Sequence, residues 1–291
     1  MTTDKWLKNN TYSLQGKRVA ISGATGGIGR ELCRYLCMLN AELILLDRNE
    51  TKSHSLRQEL QSEYPLCTIS CITLNLELLG RVKEVAEELQ EKPLHALILN
   101  AGAYHIPRYT CTTGYDNIFQ INFVSPYVLA RLLLPHLQVN DGKVVAVGSI
   151  AHTYSKTNPK DIDFKNQKKH SKAYGNAKRY LMFSLFELFG GKDGLAVTHP
   201  GITFTNITAH YPKFVFALIK YPMKIIFMKP RRACLSILRG LFVDCKKNQW
   251  IGPRYFRIWG MPQEQILHTC SAHESMRIAE VAEKLYQQVL Q

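Results

Sequence analysis

The stretch KRVAISGATGGIGRELCRYLCMLNAELILLDRNE, residues 17–50, restricts the fold more than any other part of the chain. A short β-branched run, Arg18 to Ile21, leads into Gly23, Gly26, Gly27 and Gly29. A helical pattern with Leu32, Leu36 and Leu39 follows, and a second apolar run ends in Asp47. Strand, glycine turn, helix, strand and acid within about 30 residues form the context in which a βαβ unit binds a dinucleotide. The glycines let the backbone approach a pyrophosphate, and the helix N-terminus attracts its charge. Asp47 can accept bonds from ribose hydroxyls and would repel a 2′-phosphate, which favours NAD. The adjacent Arg48 could pair with that phosphate and keeps NADP open.

The alternation continues. Strands are expected at 67–74, 94–100, 143–149, 195–200 and 249–252, with helices near 50–62, 77–91, 114–137 and 171–190 between them. That order calls for a single α/β domain over residues 1–291, a doubly wound parallel sheet of Rossmann type with helices on both faces. Such sheets bind ligands at the carboxyl ends of their strands.

Polar and small residues collect at those ends. Asn100-Ala101-Gly102 closes the fourth strand and would let a ring system pass close to the backbone. Asn122 lies among Ile118, Phe119, Ile121 and Phe123, where an unbonded amide would be costly. Ser149 ends the fifth strand, and Tyr174 and Lys178 open the next helix one turn apart. Pro200-Gly201 ends the sixth, with Thr205 beyond. Each alone reads equally as a cap, a satisfied amide or a core aromatic; their order is what points to a site.

Over nearly its whole length the chain resembles the short-chain dehydrogenase/reductase family. Ser22-Gly23-x-Thr25-x-Gly27-Ile28-Gly29 resembles the family's cofactor glycine motif, with Ser in place of the usual Thr. Asn100-Ala101-Gly102 matches the later part of its Asn-Asn-Ala-Gly element, with Leu99 replacing the first Asn. The resemblance implies a catalytic tetrad of Asn122, Ser149, Tyr174 and Lys178, and a carboxamide-holding segment at Pro200, Gly201 and Thr205. Asn75 stands where the family usually has an Asp near the adenine.

The 24 residues between Ser149 and Tyr174 exceed what compact members carry. With GSIAH, DIDF and HPGITFTNI, they resemble the branch that holds retinol dehydrogenases, the WW-domain oxidoreductase and protochlorophyllide reductase. The implied activity is hydride transfer between NAD(P) and a lipophilic alcohol, aldehyde or ketone. Lys178 is expected to lower the Tyr174 phenol pKa and to bond the nicotinamide ribose, Ser149 to hold the substrate oxygen, and Asn122 to anchor a water. The alternative on the same scaffold is a non-catalytic, cofactor-sensing or partner-binding protein.

Charge and composition bound the rest. The formal charge is +14, and eleven Lys/Arg against one acid, Asp244, fall between 206 and 260. The family's helical substrate lid is expected at about 206–245, and its mixture of lysines with apolar residues also fits peripheral contact with an anionic membrane. Charge alone does not make a nucleic-acid binder, and no recognition motif is present, so none is expected. The eight scattered cysteines have no metal-ligand spacing, and no metal is expected. No apolar run precedes the first strand, so the expectation is a cytoplasmic protein, as a monomer or a homodimer, with a membrane surface left open.

Overall fold

A computed structural model describes residues 2–203 and 228–290. Thr205 and most of the expected lid therefore lie outside the described residues.

The elements run α1 (Thr3–Asn10), β1 (Arg18–Ser22), α2 (Gly27–Met38), β2 (Glu42–Asp47), α3 (Glu50–Glu63), β3 (Ile69–Thr73), α4 (Leu79–Gln90) and β4 (Ala96–Leu99). Helix α5 spans Asn117–Val139 and holds a π-helical turn at Gln120–Val124. Then come β5 (Lys143–Val147), α6 (His170–Phe189), β6 (Leu195–Thr198), α7 (Pro230–Ala233), α8 (Leu235–Gly240), β7 (Gln249–Tyr255), β8 (Trp259–Ile266) and α9 (Ala272–Leu290).

The strands make one eight-stranded sheet in the order β3-β2-β1-β4-β5-β6-β7-β8. β1 to β7 pair in parallel, and β8 runs antiparallel to β7 at the edge. The expected doubly wound parallel sheet is present. Its strands read as unbroken apolar runs because both faces are buried. Along β4, Leu97 and Leu99 face the cluster beneath α4, α5, α6 and α9, whereas Ala96 and Ile98 face the cluster beneath α1, α2, α3 and α8.

Three elements differ from expectation. Helix α1 carries no apolar periodicity; it is held by the Thr2 hydroxyl cap and by Trp6, which is buried. Strand β8 contains Pro262 and several polar residues, a pattern tolerated because an edge strand has one unpaired side. The third difference corrects the lid. Residues 233–241 belong to the core layer: Leu235, Ile237, Leu238 and Leu241 join Leu32, Cys33 and Leu36 of α2. Gly240 lies so close to the sheet that a Cβ would stand 2.9 Å from Val145 and 3.0 Å from Thr198.

Helix α5 is long and apolar enough to cross a membrane, but 78% of its apolar window is buried inside the protein. It is the helix that covers the middle of the sheet.

Candidate active site and dinucleotide cleft

The glycine turn between β1 and α2 forms one wall of a cleft of about 430 Å³ at the carboxyl ends of β1, β2 and β4. Gly23 adopts φ +70°, and a Cβ there would meet the Ala101 backbone at 2.8 Å. A Cβ on Gly29 would stand 2.3 Å from the Gly23 carbonyl, so the first turn of α2 rests directly on the loop. No side chain caps α2. Its first amides therefore offer partial positive charge to an anion.

Asp47 closes the far wall. Its Oδ1 accepts from the Thr25 amide at 3.2 Å and the Thr25 hydroxyl at 2.9 Å. Burial raises its pKa, and the two Thr25 bonds and the nearby Ser53 hydroxyl oppose the rise. The other oxygen, Oδ2, is buried without a hydrogen-bond partner among the described residues. A vicinal diol would satisfy it; a phosphate would not. Arg48 beside it is 69% exposed and pairs with Glu77 at 3.3 Å. Asn75 lines the cleft and accepts from the Glu77 amide at 3.1 Å. Ile28, Gly27 and Thr25 also line it.

Strand β4 is stapled to this turn. The Ser22 hydroxyl donates to the Ile98 carbonyl and accepts from the Asn100 and Ala101 amides, both at 3.1 Å. Asn100 Nδ2 donates back to the Ser22 and Gly23 carbonyls at 3.0 and 2.9 Å. Ser22 and Asn100 thus shape the cleft from behind. Gly102 needs its missing side chain: a Cβ would lie 2.9 Å from Asn122 Oδ1.

Ser149, at the end of β5, caps the short 3-10 turn Ile150–Thr153 by accepting from the Ala151 amide at 3.2 Å. Helix α6 packs onto that turn through Gly175, where a Cβ would meet the Ala151 carbonyl at 2.2 Å. Ser149, Tyr174 and Lys178 are brought together in this way. Lys178 is 2% exposed, and its Nζ donates to the Val147 carbonyl at 2.8 Å. The ammonium lies 5.9 Å from the Tyr174 ring centroid.

The electrostatics depart from the expectation. Burial pushes the Tyr174 phenol up to about 12, with the neighbouring Ser149 hydroxyl pulling the other way. Burial likewise pushes Lys178 down to about 8. The chain by itself therefore does not lower the phenol pKa, because its cation is desolvated and already committed to Val147. Asn122 also differs. Its Nδ2 donates to the Ala103 and Ile118 carbonyls at 2.9 and 2.8 Å, and its Oδ1 accepts from the Ala103 amide at 3.2 Å. It ties the π-helical turn of α5 to the strand-β4 loop with its whole carboxamide. Pro200 and Gly201 close the site after β6. Gly201 has φ +79°, and a Cβ there would stand 2.6 Å from the Ile258 carbonyl.

Sequence reasoning missed a buried network beneath Ser149. His152 Nδ1 donates to the Ser149 carbonyl at 2.6 Å, and its Nε2 lies 2.8 Å from the Thr269 hydroxyl. Burial pushes this imidazole down to about 4, so it is neutral. Arg179, next to Lys178, binds Glu274 of α9 at 2.6 and 2.9 Å and donates to the carbonyls of His152 and Thr269. Glu274 in turn accepts from the Thr157 amide and hydroxyl. The one cue in the sequence was a charged residue inside an otherwise buried helical stretch.

Three comparisons bear on this arrangement. The model of the short chain dehydrogenase family matches residues 17–158. Short-chain dehydrogenase TIC 32 A, chloroplastic, of Brassica napus is 29% identical over 69% of this chain and 68% of its own. Retinol dehydrogenase 12 of Mus musculus is 31% identical over 67% of this chain and 64% of its own. Among solved structures, an uncharacterized protein from Mycobacterium paratuberculosis superposes with a TM-score of 0.71 at 20% identity, covering 97% of this chain and 96% of the other.

Proposed function

Because the chain belongs to the short-chain dehydrogenase family and resembles its retinol dehydrogenases, we propose that it is an NAD(P)-dependent oxidoreductase of lipophilic alcohols, aldehydes or ketones. The observation that carries this reading is the meeting of Ser149, Tyr174 and Lys178 at the carboxyl end of β5, in the sheet whose β1 end holds the glycine cleft.

The cleft fits a dinucleotide on its own evidence. Gly23, Gly29 and Gly102 leave no space for side chains, the α2 N-terminus is uncapped, and Asp47 Oδ2 has no hydrogen-bond partner among the described residues. Asp47 would hold the adenosine ribose, and the turn at Gly23–Gly29 the pyrophosphate. We read the choice as NAD, because Asp47 repels a 2′-phosphate and Arg48 is engaged with Glu77.

When bound, the nicotinamide gives or takes the hydride. Tyr174 moves the proton. Protonated at neutral pH, its phenol donates to a carbonyl oxygen as that oxygen gains charge, which suits reduction. Ser149 donates a hydrogen bond to the same oxygen and stabilises the charge growing there. Lys178 supplies a cation one helical turn below the phenol and offsets the phenolate left behind. In oxidation Tyr174 accepts the hydroxyl proton instead, and the high phenol pKa then calls for an added positive charge in the site. The lipophilic class is supported by the aromatic surroundings, with Tyr104 edge-on to Tyr174 at 5.2 Å.

A panel of alcohols and carbonyl compounds, assayed with oxidised and reduced NAD and NADP, tests the proposal. We expect turnover of apolar carbonyls with NADH. Cofactor binding without turnover of any panel member would favour the cofactor-sensing alternative.

A further inference from the structure

The hairpin between β7 and β8 turns through Phe256 and Arg257, closed by the Ile258 amide donating to the Tyr255 carbonyl at 2.9 Å. Both central residues are left-handed, with φ 51° and 61°. Three residues join the strands, with Tyr255 opposite Trp259, and a bulky side chain at a left-handed position is strained where Asn or Gly is favoured. Phenylalanine and arginine in those places oppose the local preference. Where a chain breaks such a rule without a packing gain, function is the usual reason. Arg257 gains a contact over the buried Trp250 ring, but Phe256 gains none, being 81% exposed.

The tip has a consistent chemistry. Trp259, 39% exposed, adds a third ring. Arg254 lies 5.5 Å from the Tyr255 ring centroid, and Arg257 lies 5.7 Å from that of Trp250. No acid occurs between Asp244 and Glu264, and Glu264 is paired with Arg239. Neither Arg254 nor Arg257 forms an ion pair with a described carboxylate among the described residues.

We propose that the hairpin tip, residues 253–260, docks on an anionic lipid bilayer, with Tyr255, Phe256 and Trp259 at headgroup level and the exposed Arg254 on lipid phosphates. Amphipathic rings favour that layer, and basic side chains are drawn to its negative surface. A turn projects two or three side chains outward rather than offering a flat, packable face, which fits an interfacial layer better than a folded partner. The sequence leaves membrane contact open across the basic region 206–260, of which the β7–β8 hairpin tip is a described part. One side of the turn also abuts the site, since the Ile258 carbonyl blocks any Cβ on Gly201. A lipophilic substrate leaving the bilayer would therefore emerge beside the catalytic helix. That consequence rests on the proposed function, whereas the docking does not.

Flotation of the full chain with vesicles tests the proposal. The vesicles are phosphatidylcholine alone, or phosphatidylcholine with roughly one third phosphatidylglycerol, at low and high salt. We expect flotation with the anionic vesicles only, reversed by salt. The variant Phe256→Asn supplies a residue that the left-handed position prefers and leaves Arg257 on Trp250. It should bind anionic vesicles at least about ten-fold more weakly while melting at the same or a higher temperature. Loss of binding with stability retained separates docking from misfolding. The proposal is overturned by absent flotation, by equal binding to neutral vesicles, or by a variant that binds like the parent. A concentration-dependent dimer that the variant abolishes would overturn it in favour of a second copy. None of these readings uses turnover, so the oxidoreductase proposal stands or falls separately.

Discussion

At neutral pH the Tyr174 phenol is protonated, because burial holds its pKa at about 12. Replacing Tyr174 with Phe should abolish turnover on the panel and leave the affinity for NADH, read by fluorescence titration, within about two-fold. An active Phe variant would end the assignment. Lys178 makes a second prediction. Its folded pKa of about 8 lies below the ordinary 10.5, so the unfolded chain binds the proton more tightly. The penalty is full below pH 8 and disappears as pH rises from there to 10.5. Relative to Lys178→Met, the native chain should gain on the order of 3 kcal/mol across that window in urea unfolding. A flat difference would mean that Lys178 is better solvated than its contacts imply. Spacing alone did reveal that Tyr174 and Lys178 share a helix face. The sign of their pKa shifts was not legible, because desolvation depends on residues remote in sequence.

Elements hold these side chains through close backbone contacts and one buried ion pair. Helix α2 meets the glycine turn where Gly29 sits on the Gly23 and Ala24 carbonyls, so even a methyl must displace backbone. Gly29→Ala should lose about 1–3 kcal/mol of stability and weaken NADH binding at least about ten-fold. Unchanged binding would show that the turn can shift without harm to the cleft. Helix α9 is tied to α6 by Glu274 and Arg179, both nearly buried. Burial would raise the Glu274 pKa, but the Arg179 guanidinium overrides it and holds the carboxyl at about 2, against an ordinary 4.5. A depressed carboxyl stabilises the fold above its unfolded pKa, and this support is lost as pH falls from about 4.5 through 2. Glu274→Gln should cost about 3–5 kcal/mol near neutrality, since it strands the arginine, and should flatten the acid limb of the stability curve. Thermal melts of both proteins between pH 6 and pH 3 check this. The pairing was illegible in the sequence because its partners are almost a hundred residues apart.

For the molecule as a whole, cofactor binding and stability are linked. NADH at about 100-fold over its Kd should add about 2.7 kcal/mol, visible as a rise in melting temperature of several degrees. NADPH at the same concentration should raise it less, because Asp47 repels its phosphate and Arg48 is held by Glu77. An equal or larger shift with NADPH would reverse the cofactor assignment. The strands were readable beforehand where each is fully buried, since buried parallel strands leave unbroken apolar runs between helices. The sequence by itself determined the parallel sheet, the glycine cleft and the helix face shared by Tyr174 and Lys178, all of them consequences of local pattern. Only the tertiary structure decided that residues 233–241 belong to the core, that β8 closes the sheet's edge and that Asn122 bonds Ala103 and Ile118 through its carboxamide. It also decided that burial raises the Tyr174 phenol pKa. Burial and long-range hydrogen bonding set each of these, and neither is a property of any short stretch of chain.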